Sequence, residues 1–151
     1  MRIGRLPADV GVGLAAGLAG TAAMTVSSTA EMKLRHRGAS DAPARAAAKV
    51  LGVEPGGQRE AARFGALVHW AYGTGWGAAR GVLAFLGLRG AAAAGAHFGL
   101  VWGSEQAMLP ALGVAPPATE WGAGEVAIDV WHHLVYAAAA GAAYGFLDAS
   151  R

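Results

Sequence analysis

Glu125, Asp129 and His133 stand at i, i+4 and i+8. On a helix that spacing lays two carboxylates and an imidazole along one slowly turning stripe. His69 and Glu105 are further titratable residues set inside long apolar stretches. Groups of these types in apolar surroundings support two kinds of chemistry. They hand protons to one another, or they hold a hard or borderline cation such as Zn, Mn or Fe. His69, Glu105, Asp129 and His133 are the ligand candidates for a metal or haem. No particular cofactor is assigned, because the Glu-x-x-His pairs of a di-iron bundle are absent. A structural use is equally open: Asp129 with His133, and His69 with Glu105, would form a polar clamp that fixes helix register.

These residues need helices to hold them, and four apolar stretches supply them: 10–30, 64–88, 91–114 and 126–147. Each is close to the ~20 residues that a helix needs to cross a bilayer core of about 30 Å. The expected architecture is therefore all-α, a transmembrane bundle of about four helices forming a single membrane domain. The polar loop 33–63 carries seven of the twelve Lys/Arg residues. Within it, Asp41 and Pro43 ahead of an Ala-rich run that stops at Gly52 predict a short capped helix at the membrane surface. Pro116 and Pro117 break the chain between the third and fourth stretches. Arg2 and Arg5 before the first stretch also suit a signal peptide, but the apolar run is longer than the usual ~7–15 residues.

We call the side of the long loop face A and the opposite side face B. Seven basic residues fall on face A and five, including Arg2 and Arg151, on face B, which leaves orientation undecided. At 1.5 Å per residue, His69, Glu105, Asp129 and His133 lie within roughly 8 Å of one another in depth, with Ser27, Ser28 and Glu31 at the matching end of the first helix. One polar cluster on face A's half is the expectation. His132, about 100° around from His133, is expected at the interface. Arg80 and His97 lie nearer face B, with Arg80 expected to snorkel to the surface. Trp121 and Trp131 suit an aromatic belt near face A, and Trp76 and Trp102 suit internal packing.

Composition agrees with lipid as the solvent. Of the 151 residues, 54% are hydrophobic and 15% charged, below the roughly 25% charged of ordinary soluble domains. Twelve basic against ten acidic groups is too even a balance for nucleic-acid binding. The absence of cysteine excludes disulfides and thiolate metal sites. No Walker lysine, Gly-x-Ser-x-Gly or His-Glu-x-x-His motif is present.

The 24 glycines need a reason in a helical chain, because glycine costs about 1 kcal/mol against alanine in a helix interior. Spacing by four supplies one: Gly13, Gly17 and Thr21; Gly73, Gly77 and Gly81; Gly95, Gly99 and Gly103; Ala137, Gly141 and Gly145. Small-xxx-small faces let helices approach closely in lipid. All four ladders are expected at packed interfaces, or on a face offered to a second copy or another membrane subunit.

Leu109-Pro110-Ala111-Leu112-Gly113, Pro116-Pro117, Trp121, Glu125, Asp129 and His133-Leu134-Val135-Tyr136 together resemble the YagU-like family of bacterial multi-pass inner-membrane proteins. The strong likeness covers about a quarter of the chain. It implies an inner-membrane location and a polar stripe at Glu125, Asp129 and His133, and it supplies no reaction. Glu105 and Arg80 depart from the pattern. The functional expectation is a small multi-pass membrane protein, more a non-enzyme than an enzyme, that handles protons or a small solute through its His/carboxylate cluster. A metal- or haem-dependent enzyme and a membrane scaffold are the alternatives.

Overall fold

The computed structural model describes residues 3–150, so Met1, Arg2 and Arg151 lie outside it. Among the described residues the fold is all-α, with five helices and no strand. A 3-10 turn, Ile3–Arg5, leads into α1, Leu6–Arg35, where Pro7 sits in the first turn and suits its preset φ. His36 closes α1 in the left-handed conformation, its N–H donating to the Met32 carbonyl. The short helix α2, Ala42–Leu51, ends at Gly52, whose φ of 65° is cheap only for glycine. Asp41 does not cap it through its side chain, contrary to expectation, and instead pairs with Arg45 at 3.2 Å.

The three remaining helices are α3, Gln58–Phe85, α4, Gly90–Ala111, and α5, Ala123–Ala149. Helix α3 begins six residues before the expected stretch because Gln58 to Arg63 continue its first turns. Pro110 falls in the last turn of α4, and a second 3-10 turn, Ala118–Glu120, bridges to α5. Helix α2 lies against the end of α4: Ala46 packs with Leu109 and Val114, while Arg45 and Lys49 donate to the carbonyls of Val114 and Leu112 at 2.7 and 2.6 Å.

Helix α1 is the axis of the bundle, packed along both α3 and α5. Its contacts fall in chain number on the partner as they rise on α1, so both pairings are antiparallel. Gly13 meets Gly81, Gly17 meets Gly77, and Thr21 meets Gly73. A methyl group on Gly17 would sit 2.6 Å from the Thr74 carbonyl oxygen and 2.7 Å from the Gly77 Cα, so only glycine permits this approach. On the other side Gly20 abuts Tyr136, and Arg35 reaches Glu125.

The α1 and α3 ladders thus meet backbone to backbone, the α4 ladder lies open, and the α5 ladder is packed at buried Ala137 and more loosely at Gly141. Gly95, Gly99, Gly103 and Gly145 have no atom within 4 Å of an added methyl, and Gly141 meets only the Ala94 side chain at 3.8 Å. The physical reason is that α4 turns a different face, carrying His97, Trp102 and Glu105, toward its neighbours. Among the described residues one helix, Leu6–Arg35, is by itself both long and apolar enough to cross a membrane. The polar residues inside α3, α4 and α5 lower their hydropathy.

Candidate functional site

Helices α4 and α5 bring three of the expected cluster residues together. His133 Nε2 lies 2.8 Å from Glu105 Oε2, and its Nδ1 lies 2.8 Å from the Asp129 backbone carbonyl one turn earlier. The Asp129 carboxylate accepts 2.7 and 3.5 Å hydrogen bonds from Trp102 Nε1 and Gln106 Nε2, and its other oxygen is 3.6 Å from His133 Nδ1. Trp102 is itself steadied by stacking on Phe98, with centroids 5.8 Å apart and planes within 10°. Trp102, Glu105 and Gln106 come from one face of α4, since positions three and four apart are neighbours on a helix. Trp102, expected only to pack, and Gln106, not singled out in the sequence, both belong to the site, and their spacing around Glu105 is the signal that marks them.

Two expected members are elsewhere. His69 is not in this cluster: its Nε2 is 2.8 Å from the Thr25 hydroxyl on α1. Glu125 is not in it either, because it binds Arg35 at 2.6 Å. Eight residues turn a helix by about 80° beyond two full turns, so Glu125 faces α1 while His133 faces α4. His132, expected at the interface, is buried against α1, with Nδ1 2.9 Å from the Ser27 hydroxyl and Nε2 3.7 Å from Glu31. Arg80 does not snorkel. It is 4% exposed and stacks over the Tyr144 ring at 4.3 Å.

The chemistry available at the α4–α5 site follows from the hydrogen bonds. The backbone carbonyl can only accept, so His133 Nδ1 carries a proton and donates it there. One proton then remains between Nε2 and the Glu105 carboxylate, which either group can hold. A metal fits less well. The nearest ligand atoms of Glu105, Asp129 and His133 lie within 4.8 Å of one another. Ligand atoms sharing one ion at about 2.1 Å can be no more than about 4.2 Å apart, and an ion here would have to replace the proton of the 2.8 Å Glu105–His133 contact.

Outside the apolar stretches, α1 and α5 are tied by an ionic network at face A. Arg37 binds Glu31 through two nitrogens, one of them at 2.8 Å, and Arg35 bridges Glu31 at 3.2 Å and Glu125 at 2.6 Å. The hydrogen bond from Arg37, helped by Arg35, holds the Glu31 carboxyl below its ordinary range against the opposing effect of burial. Arg35 does the same to Glu125. A carboxylate lowered in the folded state stabilises above its unfolded value, and that contribution is lost as pH falls through the folded value. The α1–α5 tie is therefore expected to hold at neutral pH and to loosen below about pH 4. The protection factors of amides 123–128, with the intrinsic fall of exchange toward acid divided out, should drop from pH 7 to pH 3, and Arg35→Ala should lower them at pH 7; unchanged protection in both would refute the tie. Salt should weaken the Arg35–Glu125 part of the tie, whose side chains are 40% and 56% exposed.

No protein-family model, curated protein or solved structure matches this chain.

Proposed function

We propose that this chain is a four-span integral membrane protein whose α4–α5 pair exchanges protons through Glu105 and His133. The observation that carries the membrane reading is an inverted partition of side chains. Among the described residues half of the twelve buried apolar ones are alanine, whereas Leu18 is 51%, Val26 71% and Phe146 77% exposed. A soluble fold does the reverse, because burying large side chains supplies most of its stability. In lipid the outside of a bundle is apolar and small residues pack within. The exposed surface of 8688 Å² exceeds the roughly 7,100 Å² expected for a soluble monomer of 15.1 kDa. Helices of 30, 28, 22 and 27 residues all exceed the ~20 needed to span.

Within that reading, a carboxylate and imidazole sharing one proton between two helices are suited to taking up and releasing it, the usual work of such groups in membranes. The YagU-like affiliation and the bacterial inner membrane belong to this proposal, supported by the proline loop and the α5 residues that resemble that family. The close grouping of Glu105, Asp129 and His133 favours one second reading, a divalent metal site. Infrared difference spectra of detergent-purified protein between two pH values separate them. We expect a carboxyl band that titrates in the wild type and disappears in Glu105→Gln, with no stoichiometric metal by elemental analysis. One metal per chain, lost in Asp129→Asn and His133→Gln, would replace proton exchange with the metal reading.

A further inference from the structure

Buried and half-buried polar side chains that the α4–α5 site does not use stand at successive depths along α1, α3, α4 and α5, in a file from face A to face B. Nearest face A, His132 bonds Ser27 and faces Glu31. Next comes His69 on Thr25. Deeper, the Tyr136 hydroxyl donates to the Gly73 carbonyl at 2.6 Å, and its ring lies 5.5 Å from that of His97. His97, 0% exposed, places Nε2 3.0 Å from the Trp76 carbonyl. Arg80 over Tyr144 follows. The file then meets a polar cavity of about 150 Å³ at face B, whose walls include Arg5, Asp9, Arg89 and Asp148. Along α5 alone, His132 to Asp148 covers about 24 Å, most of the ~30 Å hydrocarbon layer.

If these groups served only to glue helices, their polar atoms would be used in pairs. They are not: His132 Nε2, His97 Nδ1, and Arg80 Nε and Nη1 are buried with no hydrogen-bond partner. A buried polar atom left unmade costs about 1–3 kcal/mol, and in native proteins ordered water usually meets the need. Four such atoms at three levels of one file, ending in a polar cavity, are what a chain of bridging waters requires.

We infer that this seam is a hydrated proton path from the Glu31/His132 end to the Arg5/Asp9/Asp148 cavity, a route separate from the Glu105/His133 pair. The inference rests on the membrane-spanning reading. His132 can accept a proton on one ring nitrogen and release one from the other, whereas His97 Nε2 and the Tyr136 hydroxyl donate to backbone carbonyls that cannot pass a proton on, so His97 takes up and releases its proton at Nδ1 alone, through water. Arg80 keeps its proton, so at its level transfer passes through water held by its two unpaired nitrogens toward the carboxylates at the mouth.

The test is proton flux into vesicles of phosphatidylethanolamine and phosphatidylglycerol, driven by a potassium diffusion potential and read by an enclosed pH dye. Wild-type protein should acidify or alkalinise the lumen at least fivefold faster than protein-free vesicles. His97→Gln and His132→Gln, which retain an N–H donor but relay poorly, should each fall to the protein-free rate, while Leu18→Ala on the outer surface should match wild type. Alkaline extraction of the same vesicles reports insertion independently. Extraction of the wild-type protein would overturn the membrane reading and the seam with it. Resistance to extraction with no excess flux, or full flux in both histidine variants, would overturn the seam alone.

Discussion

Replacing Gly77 by leucine is expected to separate α1 from α3, whereas the same change at Gly99 leaves the bundle intact. Gly77 faces the backbone of Gly13 and Gly17, with the Gly17 Cα 2.7 Å from where a Cβ would stand. Overpacking a well-filled core costs about 1–3 kcal/mol when neighbouring side chains can rearrange. Here the obstruction is main chain on a second helix, which can yield only by translating the whole helix, so about 3 kcal/mol or more is expected. That displacement also drags Thr21 from Gly73 and Thr25 from His69. At Gly99 a side chain meets open space, and an exposed helix position gains slightly when glycine is replaced. Thermal unfolding in detergent, followed by circular dichroism, should show a large drop for Gly77→Leu and none for Gly99→Leu. Equal losses would contradict this assignment of interfaces. If Gly99→Leu kept the fold but changed the mass of the detergent-solubilised particle, the open stripe on α4 would be a contact between chains.

The two ladders illustrate what this sequence discloses. Helices were legible because long apolar stretches end at the Leu86–Gly90 turn and at Gly113 with Pro116 and Pro117, and because the short helix in the polar loop stops at Gly52. Depth was legible too, since the rise per residue is fixed, and His133 and Glu105 do meet at one level. Azimuth was not. A four-residue spacing of glycine reveals which face of a helix is flat, and says nothing of what is laid against it. His69 sits at the expected depth but looks toward α1, because α3 packs along α1 through its glycines and carries His69 around with them. His132 and His133 divide between two neighbours for the same reason, one bonded to Ser27 on α1 and the other to Glu105 on α4. Which helices become neighbours is decided by close approach of backbones, and that is a property of pairs rather than of any one segment.

Glu105 is where the largest loss from a single polar truncation is expected. Its carboxylate and the His133 imidazole are only 19% and 10% exposed, so removing one leaves the other buried beside Asp129 without its partner. Breaking a buried pair by deleting one member costs about 3–5 kcal/mol, and partial exposure of Glu105 puts Glu105→Ala near the lower end, about 3 kcal/mol. Glu105→Gln retains an acceptor and should lose less, yet it cannot take the shared proton. Stability and proton exchange therefore separate at this residue: the glutamine variant keeps most of the fold and loses the exchange. Adding His133→Ala to Glu105→Ala should cost little more than either change alone, because the second truncation removes the very group the first had stranded. A coupling of about 1–3 kcal/mol from that double-mutant cycle, measured by reversible unfolding in mixed micelles, is the expected result. Additive losses would mean that the two side chains act independently, and a proton shared between them could not then be the basis of the site. Trp102→Phe offers the complementary reading on the other side of the imidazole. It deletes the 2.7 Å donor to Asp129 while keeping the ring that stacks on Phe98, so it should loosen the aspartate and leave the Glu105–His133 coupling in place.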